Sequence, residues 1–240
     1  MDILIITLLT FVASLVGTVS GFGISTILVS TLVLALPLST TLLLVAVIHL
    51  CNDVWKMTLF QSGANWKIIL SFGVPGILAS FVGAAIFLNL PTPLLVRTLG
   101  AILAAYALFL FVKPSFRVSA TIGSAMAGGA VSGFLAGLIG ISGGLRAAFL
   151  SAFNLPKAVY LFTAGAIAFG IDITRIGTYL AGNIRIEQPL LAGLLLFIPS
   201  SFIGARLGEK IVTKIPQTHF RFVIAGFLLL VAIKLVIWPQ

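Results

Sequence analysis

Two short stretches carry groups suited to holding a negatively charged solute. Gly21-Phe22-Gly23-Ile24-Ser25 interrupts one apolar run, and Gly140-Ile141-Ser142-Gly143-Gly144 interrupts another. A glycine in a helix interior costs about 1 kcal/mol relative to alanine, so a cluster of them points to a break. A helix that restarts at a break leaves its first amides unpaired, and its dipole places positive potential there. Such amides accept oxyanions, and glycine lets a ligand approach the main chain. Ser25 and Ser142 read as equivalent hydroxyl donors. Gly23, Ser25, Gly140, Ser142 and Gly143 are therefore the candidate anion contacts. Close helix packing is the competing account of the glycines, since Gly17-Gly21 and Gly133-Gly137 have the small-xxx-small spacing.

Charged residues inside apolar runs come next. Arg146 lies one turn after Ser142, on the same helix face. An arginine at the centre of a membrane helix costs about 2.5–3.5 kcal/mol, which suits a counter-charge for the anion. A snorkelling arginine or a partner for an acid explains it equally well. Asp53 and Asp172 are 119 positions apart, and each has a base three residues on, Lys56 or Arg175. Helix-end salt bridges are one reading; proton uptake and release during transport is the other. His49, one turn before Asp53, titrates near neutral pH and has Ala168 as its counterpart. Asn52 is able either to contact a substrate or to cap a neighbour. No catalytic or cofactor motif is found, and five acidic residues leave little for metal-assisted hydrolysis. A catalytic site, a metal site and a cofactor are thus not expected. The single Cys51 excludes an internal disulfide and reads as a small packing residue.

The elements that must position these residues are membrane helices. Of 240 residues, 60% are hydrophobic and 8% charged, against about 25% charged in a soluble domain. The apolar runs have helical length and show no ten-residue alternation, so a helical bundle is expected rather than a barrel. The net charge of +9 sits at the ends of apolar runs, which argues for the positive-inside rule and against nucleic acid. An electrostatic bias toward an anionic substrate adds to it. The first run begins at Ile3 with no basic segment before it and reads as a retained span.

The order of runs repeats. Leu36-Pro37 matches Leu155-Pro156, Pro75 matches Pro199, and Leu90-Pro91 matches Ile215-Pro216. We expect an all-α membrane protein with two repeats, 1–113 and 118–240, joined by a central loop at 113–117. Such repeats mark secondary transporters. If each broken run crosses once, basic residues divide evenly between the two sides. If each dips in and returns, Lys56, Lys67, Lys113, Arg117, Lys157, Arg206, Lys210, Lys214 and Arg221 share one side, with Arg175 and Arg185 opposite. The second arrangement obeys the positive-inside rule. It has six spans, two re-entrant hairpins, both termini outside and inverted repeats. Each hairpin arm of roughly 15 residues then rises about 22 Å, placing the breaks near mid-depth.

The glycine-rich breaks, the Leu-Pro stops, the charged ends of the second helices and the polar Gly-Ala-Asn-Trp and Gly-Asn-Ile turns together resemble the TauE/SafE family of sulfite exporters and sulfur-anion permeases. The run Gly133-Phe-Leu-Ala-Gly137-Leu-Ile-Gly140-Ile-Ser-Gly143-Gly144 is the closest part. The resemblance extends over essentially the full chain. It implies a bacterial inner-membrane exporter of sulfite, thiosulfate, a sulfonate or an organic acid, coupled to protons. Two departures stand out: Gly-Phe-Gly-Ile-Ser-Thr replaces a triple glycine at the first break, and Arg146 occupies a position usually small or apolar. A passive anion channel and a non-transporting assembly subunit are the alternatives. The expected partners are a small anion, protons and the bilayer.

Overall fold

A computed structural model of the chain describes residues 2–20, 23–59, 63–112, 118–211 and 217–238. These form ten helices: α1 Ile3–Ser20, α2 Ile24–Leu32, α3 Leu38–Leu59, α4 Trp66–Asn89, α5 Thr92–Val112, α6 Ile122–Ile139, α7 Gly143–Ser151, α8 Lys157–Ala181, α9 Gln188–Ile211 and α10 Gln217–Ile237. Among the described residues, six helices are long and apolar enough to cross a membrane: α3, α4, α5, α6, α8 and α9. The chain is a multi-pass, all-α membrane protein. Leu78, Phe81, Leu195 and Leu230 are exposed, as lipid-facing side chains must be where the solvent is hydrocarbon. Trp66 and Trp238 are exposed at helix ends, where their amphipathic rings suit the interface. The 113–117 loop expected between the halves lies outside the described residues.

Small residues set which helices touch. A Cβ built on Gly129, Gly133 or Gly137 of α6 would strike the main chain of Phe72, Gly76 or Ser80 of α4. The matched ascending order makes α4 and α6 parallel, and here the packing account of Gly133 and Gly137 holds. In the same way α1 lies parallel to α9. Gly208 abuts the Leu15 carbonyl, Gly204 abuts the Ser14 side chain, and Ser200 Oγ donates to the Thr7 carbonyl at 2.9 Å. The α8 helix also runs parallel to α4: Val159 meets Gly63, Thr163 Oγ1 accepts from the Asn65 amide at 3.2 Å, and Ser80 Oγ donates to the Ile171 carbonyl at 3.4 Å. The α5 helix pairs with α10 through Gly100, which faces Ala232 and Val236.

Using α4 as a ruler gives the height of the second break. Gly137 stands level with Ser80, so the end of α6 lies about 10 Å short of the far end of α4. By Val159 the chain is level with Gly63 again. Between them α7 folds back along α6, because a Cβ on Gly128 would lie 2.7 Å from Phe149 Cδ1. In a continuous helix those residues would be about 31 Å apart. The arms are unequal, contrary to the two halves of roughly 15 residues expected: α6 has 18 residues and α7 has 9. The first pair repeats this with 18 in α1 and 9 in α2. The break therefore lies past the middle of α4, toward its far end.

Candidate functional site

At the second break Gly140 ends α6 in the left-handed conformation, φ 74° and ψ 6°, with its amide on the Ala136 carbonyl at 3.0 Å. A side chain here would also meet Leu42 Cδ2 at 2.7 Å. Ser142 precedes the first turn of α7. Its carbonyl accepts from the Arg146 amide at 2.9 Å, while its hydroxyl makes no capping bond. Among the described residues no carbonyl accepts from the amides of Gly143, Gly144 or Leu145. These are the orphan donors that a helix start leaves.

Gly23 occupies the matching place at the start of α2, with φ 77° and ψ 153°. Its amide donates to the Gly17 carbonyl at 3.3 Å, and a Cβ added to it would lie 3.1 Å from the Gly143 Cα. The two breaks thus touch main chain to main chain. Gly21, from the same motif, lies outside the described residues. The expected equivalence of Ser25 and Ser142 is corrected. Ser142 precedes its helix as Gly23 does, while Ser25 is the second residue of α2 and matches Gly144. Both serines are buried, but they stand two positions apart relative to their helix starts. A cavity of about 80 Å³ opens beside Ser142, bounded by α5, α6 and the first turn of α7.

Arg146 is 7% exposed and interacts with the Tyr160 phenol on α8. It does not line that cavity. Among the described residues no carboxylate pairs with it, so the acid-partner account of Arg146 has no support there. Its burial also separates it from a side chain that snorkels to water.

The strongest polar constellation lies where α3 crosses α8. His49 Nδ1 is 2.6 Å from Asp172 Oδ2 and 3.0 Å from Asp53 Oδ2. Arg175 Nε donates to Asp172 Oδ1 at 2.7 Å, and a second guanidinium nitrogen reaches the Ala136 carbonyl at 3.4 Å. Tyr179 Oη donates to the Gly137 carbonyl. None of these five residues is more than 2% exposed. The Asp172–Arg175 pair expected from spacing is present, whereas the side chain of Lys56 lies outside the described ones. The charge count placed Arg175 toward the outer end of its helix as one of two basic residues there, but its side chain is buried. It points inward, because buried Asp172 and the last carbonyls of α6 are there to receive it.

The sequence reading treated Asp53 and Asp172 as separate helix ends. They converge on one histidine instead. An ionised carboxylate only accepts, so two carboxylates around one ring nitrogen require a proton among them. With His49 protonated, the four groups His49, Asp53, Asp172 and Arg175 sum to zero charge; with His49 neutral they carry one net negative charge. The His49, Asp53 and Asp172 ligand atoms all lie within 4.8 Å of one another, close enough to hold a cation as well. Arg175 links this cluster to the break, since its guanidinium lies 3.5 Å from where a Gly140 Cβ would be. The signal for it was the one-face spacing of Asp172, Arg175 and Tyr179. Asn52 is buried with Oδ1 unpartnered among the described residues.

The family model described as sulfite exporter TauE/SafE matches residues 6–235. No curated protein and no solved structure matches the chain.

Proposed function

Because the chain belongs to the TauE/SafE sulfite exporter family, a family of membrane transporters rather than enzymes, we propose that it is a proton-coupled secondary exporter of a small anion in a bacterial inner membrane. The observation that carries the reading is the abutment of Gly23 and Gly143 beside three unpaired amides at the start of α7. In this reading the oxyanion rests on the amides of Gly143 to Leu145 and on the Ser142 hydroxyl. Gly23 and Ser25 approach from the other hairpin, Gly140 keeps the turn open, the dipole of α7 favours the negative charge, and Arg146 adds a counter-charge from the same helix. His49, Asp53 and Asp172 take up and release the proton. Arg175, which touches both the cluster and the last turn of α6, couples the two.

Inverted repeats, residues 1–113 and 118–240, supply the two states. Support comes from the packing partners. Exchanging each helix of the first five for its counterpart in the second five turns α1 with α9 into α6 with α4, and leaves α3 with α8, α5 with α10 and α2 with α7 unchanged. Direction agrees. Helix α6 parallels α4, α8 parallels α4, α9 returns from α8, and α1 parallels α9, so α1 and α6 oppose. Lys67 and Lys157 begin parallel helices, and Arg206 and Lys210 end the opposed α9. All four therefore share one face, cytoplasmic by the positive-inside rule. Alternating access then consists of one hairpin rocking against the other around the Gly23–Gly143 contact.

Flux measurement on the full chain in proteoliposomes tests this. Sulfite efflux is expected to saturate with concentration and to quicken under an imposed proton gradient. In His49→Gln the gradient response is lost while flux without a gradient persists. Non-saturating conductance that ignores the gradient would make the protein a channel. Absence of both flux and conductance would make it an assembly subunit.

A further inference from the structure

We propose that the cluster of His49, Asp53 and Asp172 is also a site for one divalent transition-metal ion of the Zn²⁺ class, and that the ion occupies it in place of the coupling proton. The transport reading supplies the proton, so that half of the proposal rests on it; the ion site itself does not. Five acidic residues in the chain are few, yet two of them meet at one imidazole. Asp53 and Asp172 each bring an oxygen, Oδ2, to His49 Nδ1, at 3.0 and 2.6 Å. The ligand atoms of the three residues lie within 4.8 Å of one another. In a tetrahedral zinc site with bonds of about 2.0–2.2 Å, the ligand atoms stand about 3.3–3.5 Å apart. Each nitrogen–oxygen gap therefore needs to widen by less than about 1 Å to admit the ion.

The donor set selects the class of ion. Imidazole with carboxylates suits zinc and its neighbours, whereas Mg²⁺ and Ca²⁺ are held by oxygen ligands in larger shells. Asn52 offers a fourth donor. It stands three residues after His49 on the same face of α3, it is 2% exposed, and its Oδ1 has no hydrogen-bond partner among the described residues. A buried oxygen without a donor is the kind of group an ion satisfies. Arg175 is the outer partner. Its Nε donates to Asp172 Oδ1 at 2.7 Å, which leaves Oδ2 for the ion and fixes the carboxylate as ligating carboxylates are fixed around metals. Ion and proton exclude each other, because both need the one lone pair of His49 Nδ1.

Calorimetric titration of the purified full chain with Zn²⁺ tests the ion site. One ion per chain is expected, with Mg²⁺ and Ca²⁺ failing to compete. His49→Ala should weaken binding by at least about a hundredfold, since loss of an outer partner alone costs about 10–100-fold. Asp53→Asn should weaken it by at least about tenfold, which decides the matter should the alanine variant not fold. His219→Ala removes the other histidine and should bind as the parent does. No binding, binding that a folded cluster variant retains in full, or binding lost in His219→Ala overturns the site and leaves the transport reading standing. The exchange with the proton is read from sulfite efflux in proteoliposomes, where saturating Zn²⁺ should abolish the acceleration by an imposed proton gradient. Zinc bound through His49 that leaves this acceleration intact overturns the exchange at the cluster. Zinc bound through His49 in a chain that moves no sulfite, with or without the ion, upholds the ion site and overturns the transport reading.

Discussion

The two halves share a scaffold and divide the chemistry between them. Each opens with a helix of 18 residues and a returning helix of 9, and each places an aspartate on its next helix, at residue 53 or 172. The groups around that frame differ. His49 has Ala168 as its counterpart, Arg146 has Ile27, Ser142 has Gly23, and Ser25 has Gly144. The imidazole comes from the first half, while the inward guanidinium of Arg175 and the phenol of Tyr179 come from the second. The two backbone breaks match and touch, while the side chains around them make their surroundings chemically unlike.

The largest effect should come from the guanidinium. Arg175→Ala leaves Asp172 buried with one fewer donor, and breaking a buried pair costs about 3–5 kcal/mol. Thermal unfolding in detergent should show a large drop in midpoint, with loss of the monodisperse peak on size exclusion. The double variant Arg175→Met with Asp172→Leu should recover much of the stability while remaining inactive. A single variant as stable as the parent would mean that the cluster does not hold the second half together.

A smaller and unequal effect is expected at the two glycines that turn the chain. Gly23, at φ 77° and ψ 153°, sits in a region that is essentially glycine-only, and a residue forced there costs about 1–3 kcal/mol. A Cβ there would also press on the Gly143 main chain, which has no side chain to move aside. Gly140 is in the milder left-handed region, and its Cβ would meet the flexible end of Leu42. Gly23→Ala should therefore abolish flux, while Gly140→Ala should retain part of it. Gly140→Asn should retain more, because asparagine tolerates that conformation. Equal loss in both alanine variants would remove the asymmetry argued for the contact.

The two breaks, the prolines inside α4 and α9 and the Asp172–Arg175 pair were all legible in the sequence, because each is a local pattern or a fixed offset. The meeting of His49 with Asp172, 123 positions away, was not. Helical spacing says which face a residue occupies and not which helix that face opposes. The height of the breaks was hidden for another reason. Both arms of a hairpin are apolar in lipid, so hydrophobicity does not mark where the long arm stops. The burial of Arg175 was not legible, because a charge near a helix end reads the same whether that face meets water or a packed neighbour.

The smallest effect should separate the two serines. Ser142 stands in the wall of the cavity without a capping bond, so Ser142→Ala removes one donor to an anion there. A hydrogen bond to a charged group contributes about 1.5–3 kcal/mol, which corresponds to roughly tenfold or more in affinity. Ser25 lies in the first turn of α2 on the other hairpin and does not line that cavity, so Ser25→Ala should weaken binding less, by about threefold or under. Titration of both variants with the same sulfonate gives the ratio directly. Equal losses would place the head group between the hairpins rather than on α7, and a larger loss in Ser25→Ala would move the site to the first half.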